Sequence, residues 1–344
     1  MRKYFVGLDI HWTHTNACIL DARGKKVKRF KVSGPWTRIA DELAKLKGTL
    51  FVCYEASCGY GHIYDLLRQV AQRVVVAHPG QLRLIFRSKR KNDRVDAEKL
   101  AKLLFLDEVP TVYVPSQDVR AWRQLIQHRV RLVNKRTRAK NGCRAVLRSL
   151  GIRAPGRFGL WTKNGMQWLR SLKLPNTLYA LQRNMLVTEI EMFNEQIKLA
   201  EQELKRFSAH NPAVQLLMTI PGVGLRTAET VVAYLDNPNR FHSNKSVGAY
   251  LGLVPCQDQS AKTNRLGHIT REGPSLVRRM LCEAAWQAVR RSPTTRRYFE
   301  RIHRGKKDRK KIAIVATAHY LARVMLSMLQ NGEAWRETEV KQAA

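Results

Sequence analysis

The chain has 344 residues, enough to bury a sizeable core and more than one domain usually holds, so two or three domains are expected. Its 62 basic and 27 acidic side chains leave a formal charge of +35, an excess that a polyanionic partner rewards through counterion release, so nucleic acid is the leading partner. The basic residues run through the whole length rather than flanking an apolar anchor, and no apolar run approaches spanning length, which argues against a membrane-surface or membrane-spanning protein. In chain order, MRKYFVGLDI leads straight into a strand pattern rather than a signal peptide, so a cytosolic protein is expected. TNACILDA and VKRFKVS read as two further strands around the turn Arg23-Gly24-Lys25, and TRIADELAKL has helical spacing. TLFVCYEAS, GHIYDLLRQVA, RVVVAHP and VDAEKLAKLLFL then alternate strand and helix. Three strands pairing antiparallel, followed by alternating helix and strand, predict a mixed sheet covered by helices.

A long basic helix is predicted over about 116–150, then a linker with Gly151, Pro155, Gly156 and Gly159, then a second long helix over about 178–207. The pair reads as an antiparallel arm or coiled-coil dimerisation element, and equally as a plain helical subdomain. After Pro212, TIPGVGLRTAETVVAYL sets Gly222 and Gly224 in a turn between two helical segments, a helix-hairpin-helix pattern. Such a turn aims the free N–H groups of its second helix at a phosphate; the other reading is a tight turn chosen for packing. The run HRGKKDRKK at 303–311 reads as a solvated, nucleic-acid-facing segment ahead of an amphipathic helix. Trp122, Trp161, Trp168 and Trp286 suit core packing better than base stacking. Cys18, Cys53, Cys58, Cys143, Cys256 and Cys282 are scattered without a CxxC pair and read as buried thiols.

Four carboxylates come from separate segments. Asp9 ends the first strand, and Glu55 ends TLFVCYEA, which the predicted order sets next to it. A charge within an apolar strand pattern is costly unless paired or metal-bound. Asp93 and Asp96, three apart at the start of a helix, share one helical face. They would serve either as ligands or as complements to the helix N-terminus. Together the four suit a hard divalent cation, with magnesium the natural choice, and phosphodiester chemistry often holds two such ions about 3.5–4 Å apart. Farther on, CQDQSAKTNRLGHITREG reads by itself as a polar, basic loop around Ser260. Lys262, Arg265, His268 and Arg271 follow within eleven residues, as charge stabilisers or as backbone anchors.

The strand order is that of ribonuclease-H-like nucleases. GLDIH with Asp9, YEAS with Glu55, NDRVDAEKLA with Asp93 and Asp96, and the block SVGAYLGLVPCQDQSAKTNRLGHITREGPSLVRRML together resemble the DEDD transposases of insertion-sequence family 110, over about 5–332. The resemblance implies a RuvC-like α/β domain (1–115) with a DEDD site, a coiled-coil helical arm (116–208), a mainly helical transposase domain with a catalytic serine (209–332) and a tail (333–344). On the matching position that serine is Ser260. It would attack a DNA phosphate to form a phosphoserine, with Mg²⁺ on Asp9, Glu55, Asp93 and Asp96. Implied partners are donor and target DNA, a guide (bridge) RNA, and further copies of the chain in a homodimer assembling to a homotetramer. The family usually has glycine after the serine; here Ala261 stands, a residue that resists φ > 0. Two competing readings are a structure-selective metal nuclease of the junction-resolving type, with Ser260 incidental, and a non-catalytic nucleic-acid binder.

Overall fold

The computed structural model describes residues 2–85, 93–260 and 263–337, with backbone only for Asp93, Arg94 and Thr263. Met1–Arg120 and Ala121–Ala344 form two compact units.

The first unit is built on β1 (Lys3–Ile10), β2 (His14–Leu20), β3 (Lys26–Ser33), α1 (Thr37–Ala44), β4 (Thr49–Glu55), α2 (Tyr60–Leu67), β5 (Arg73–Ala77), α3 (Pro79–Ile85) and α4 (Asp93–Phe105). The five strands form one sheet in the order β3-β2-β1-β4-β5. β1 pairs antiparallel with β2 and β2 with β3, whereas β4 joins β1, and β5 joins β4, in parallel. This is the expected mixed sheet. Asp21 shapes the β2–β3 turn, its carboxylate accepting from the backbone N–H groups of Arg23 (2.8 Å) and Lys25 (2.9 Å), while Gly24 takes φ +73°.

Alternation along the strands sorts the two faces. Val6, Leu8, Val52, Tyr54 and Val76 point to one side and pack with Ile39 and Leu43 of α1 and Ile63 and Leu67 of α2. On the other side α4 lies against β1 at Gly7, where a Cβ would sit 2.0 Å from the Ala97 carbonyl oxygen and 2.4 Å from the Ala101 nitrogen. Only a glycine admits so close a crossing, and Ala97 and Ala101 supply the small surface opposite. The edge strand β3 is blunted by Lys26, Lys28, Arg29 and Lys31. Lys26 (2.8 Å), Arg29 and Lys102 (3.1 Å) surround Glu98 of α4, and the Lys26 hydrogen bond leads in holding that carboxyl down to about 2.

The second unit is helical. α5 (Gln117–Ser149), whose first turn precedes the unit boundary, α6 (Lys163–Ser171) and α7 (Thr177–Ser208) come first. α5 and α7 run antiparallel. Ala139, Cys143 and Leu147 meet Val187 and Ile190; farther along, Leu132 meets Phe193 and Ile197, and Arg129 donates to Glu201 (2.9 Å). α8 (Pro212–Met218), α9 (Leu225–Leu235), α10 (Ser246–Tyr250), the strands β6 (Pro255–Ser260) and β7 (Thr263–Ile269), α11 (Ser275–Arg291), α12 (Pro293–His303) and α13 (Lys310–Asn331) follow. Their core centres on Leu217, Val231, Leu281, Ala285, Leu321 and Met325.

Three sequence expectations are corrected. The helical segment 307–331 contains an 18-residue stretch with a mean hydropathy of 1.6, long and apolar enough to span a membrane, although half of that stretch is buried in the protein. Ser260 lies in a two-stranded hairpin rather than a loop. Cys58 and Cys256 are exposed, not buried. Trp122 is buried in the core and Trp286 packs against it, as expected.

Candidate active site

The β1–β4 ladder pairs Lys3 with Thr49 through Leu8 with Tyr54. One step along the same register brings Asp9 beside Glu55, and residues abreast on parallel strands share a face. Leu8 and Tyr54 face α1 and α2, so Asp9 and Glu55 face the α4 side. α4 crosses β1 in the opposite direction, with Phe105 edge-on to Phe5 at 5.3 Å and Ala101 and Ala97 over Gly7. Its first turn, carrying Asp93 and Asp96, therefore lies at the Asp9 end. Three segments that are distant in sequence, the ends of β1 and β4 and the start of α4, thus lie toward one end of the sheet.

Basic groups already engage two of these carboxylates. His11 Nε2 lies 3.2 Å from Asp9 Oδ2, with its ring stacked on His14 at 4.7 Å, and Lys99 Nζ donates to Asp96 Oδ1 at 3.0 Å. Both partners are sequence neighbours, His11 within GLDIH and Lys99 one helical turn past Asp96, and only the fold shows that they turn toward the carboxylates. An all-oxygen donor set suits a hard divalent cation. Among the described residues, no three His, Cys, Asp or Glu side chains gather as a metal cluster, and the Asp93 side chain lies outside them.

In the second unit β6 and β7 pair antiparallel, Asp258 opposite Arg265, Gln259 opposite Asn264 and Ser260 opposite Thr263. Ser260 is the last, exposed residue of β6. Asp258 and Arg265 share its face of the ladder, and His268 lies in the irregular step between the pairs Gln257–Leu266 and Pro255–Ile269. Ala261 and Lys262, and with them the effect of the missing glycine, lie outside the described residues. The hairpin base is firmly held. Arg271 takes φ +58°, and Arg278 donates to the carbonyls of Leu251 (3.0 Å), Glu272 (2.6 Å) and Gly273 (3.2 Å).

The two glycines of the GVG turn differ in role. Gly222 has φ +93° and presses on α11, where a Cβ would lie 2.6 Å from the Ala288 nitrogen, which is the packing reason for a glycine. Gly224 caps the N-terminus of α9 with open space where a side chain would be.

The family model for DEDD transposases of the IS110 type matches residues 6–152, and that of the transposase IS116/IS110/IS902 family matches 214–300. The transposase for insertion sequence element IS1111A of Coxiella burnetii is 29% identical over 293 residues, covering 83% of this chain and 78% of its own length. The transposase for insertion sequence element IS1328 of Yersinia enterocolitica is 30% identical over 236 residues, 68% of this chain and 69% of its own. The chain belongs to the IS110 family of transposases. As an IS110-family transposase it is an enzyme that acts on DNA. The first family match spans the sheet, α4 and α5, and the second runs from α8 into α12 across the hairpin.

Proposed function

We propose that this transposase cleaves and exchanges DNA strands through Ser260, with Asp9, Glu55, Asp93 and Asp96 as the oxygen ligands of two Mg²⁺ ions. When bound, the ions offset negative charge on the scissile phosphate and favour ionisation of the attacking hydroxyl. Ser260 Oγ forms a bond to phosphorus as a strand P–O bond breaks; the leaving sugar oxygen takes up a proton, and the phosphate stays on the serine. Attack on that phosphoserine by a sugar hydroxyl of a second strand restores Ser260 and joins the strands, so no energy-rich co-substrate is consumed. Arg265, on the Ser260 face, offsets charge at the reacting phosphate; Lys262, His268, Arg271 and the α9 N-terminus at Gly222 and Gly224 anchor nucleic acid. The observation that carries the reading is the β1–β4 register, paired up to Leu8 and Tyr54, the residues just before Asp9 and Glu55, with α4 crossing β1 at Gly7.

Further support comes from each region. Two antiparallel and two parallel partnerships around a central β1–β4 pair suit a RuvC-like domain at 1–115. α7 leaves Leu178, Met185, Met192 and Leu199 exposed at seven-residue intervals, away from its α5-facing residues, which suits a coiled-coil arm (116–208) joining copies into dimers and tetramers. A charge of +35 suits a cytosolic enzyme that grips nucleic acid by its backbone and whose donor and target DNA are chosen by a guide RNA. The test is to purify the protein with the RNA it retains, supply matched donor and target DNA with Mg²⁺, and look for a protein–DNA adduct. An adduct that requires both Ser260 and the RNA is expected. Cleavage that persists in Ser260→Ala without any adduct would make the chain a structure-selective metal nuclease instead.

A further inference from the structure

The turn between β1 and β2 carries an indole that the mechanism above does not use. Trp12 is 77% exposed, a costly setting for so large an apolar ring, and lies three residues beyond Asp9 at the same end of the sheet. It is braced, not loose. Its ring meets Trp36 edge to face, centroids 5.1 Å apart at 86°. Trp36 in turn donates its Nε1–H to the His11 carbonyl at 3.0 Å and is pressed by Gly59, which has φ +77° and whose Cβ would lie 2.4 Å from the indole. The His62 ring, 6.1 Å from that of Trp36, completes a cavity of about 500 Å³ lined by Trp12, Pro35, Trp36, Thr37 and His62.

We propose that Trp12, braced by Trp36 and His62, is a stacking platform for an unpaired nucleobase of the DNA strand whose phosphate lies at Asp9 and Glu55. This rests on the carboxylate-site reading above. Every base has a π-face, so an aromatic platform holds a strand without reading its sequence, and opening a strand for exchange creates unstacked bases. A protein partner would need an apolar area several times that of two indoles, whereas this patch is small and adjoins the proposed phosphate site of a strongly cationic chain. Stacking here would fix where the strand lies relative to the carboxylates.

The test uses the full chain and single-stranded DNA oligonucleotides bearing 5-iodouracil, a base that photocrosslinks to aromatic rings stacked on it. Binding is measured in EDTA, so that cleavage is silent. In wild type the crosslink maps to Trp12. Trp12→Ala loses it and binds the strand about 5- to 150-fold more weakly, the range that one base–aromatic stack supplies. Trp12→Phe retains most of the affinity, and a strand made abasic at the stacked position binds wild type and Trp12→Ala alike. Crosslinks confined to other residues, an equal loss of affinity for base-bearing and abasic strands, or a Trp12 crosslink confined to RNA of the same sequence would overturn the proposal. Asp9→Asn separates the two readings. It keeps the Trp12 crosslink while losing Mg²⁺-dependent cleavage; if it cleaved normally, the carboxylate reading would fail and the crosslink would still decide the platform.

Discussion

Asp9 and Glu55 sit abreast at the end of two parallel strands, where like charges repel unless a cation lies between them. His11 Nε2 lies 3.2 Å from Asp9 Oδ2. Asp9→Asn and Glu55→Gln each keep shape and remove charge, so each is expected to lower Mg²⁺-dependent strand cleavage by about 100- to 1000-fold, the scale of losing one transition-state charge stabiliser, while leaving DNA binding in EDTA unchanged. A different carboxylate, Glu229 of α9, is 1% exposed. It accepts two bonds from Arg226 (2.8 and 3.0 Å) and one from Ser208 (3.3 Å). Burial outweighs the pull of Arg226 and pushes the carboxyl up to about 7. A folded-state value above the unfolded one means stability is fully present below the unfolded value and is lost as pH rises toward 7. Thermal melts from pH 4.5 to 7.5 should show that fall in the wild type and a flatter profile in Glu229→Gln.

At the scale of elements, the site depends on how closely α4 crosses β1. Gly7→Ala would drive a methyl into the backbone of Ala97 and Ala101, an overpacking expected to cost about 1–3 kcal/mol in urea unfolding and to displace the α4 first turn from Asp9. The five strands were legible as short runs rich in strand-forming residues between turn signals, and both long helices from apolar residues recurring at three and four. That β4, which ends at Glu55, lies beside β1, which carries Asp9, was legible too, since strand order follows from simple connection rules. The β6–β7 hairpin was not. With CQDQS exposed on both faces, no apolar alternation marks it as a strand. Nor was the Trp12 platform legible, because it depends on Trp36 and Gly59, which only the fold brings to it. The exposed α7 stripe carries its own test. Met192→Lys with Leu199→Lys should shift the protein toward monomer in sedimentation while leaving its helix content intact.

For the molecule as a whole, the +35 charge makes the grip on nucleic acid mainly electrostatic. If six to ten phosphates are contacted, affinity for duplex DNA of arbitrary sequence should drop about 10³- to 10⁵-fold between 50 and 200 mM salt, as measured by anisotropy titration. Charge explains binding, but not strand exchange. In the proposed reading Ser260, at the exposed end of β6, would store the broken phosphodiester, and the carboxylates of the first unit would hold the metal. The direct test is to trap the reaction of wild-type protein with matched DNA in Mg²⁺, digest it, and locate the nucleotide-bearing peptide by mass spectrometry. The account predicts a phosphodiester-linked nucleotide on Ser260, lost in Ser260→Ala and in Asp9→Asn. A nucleotide attached to any other residue, or strand exchange by Ser260→Ala at the wild-type rate, would contradict it.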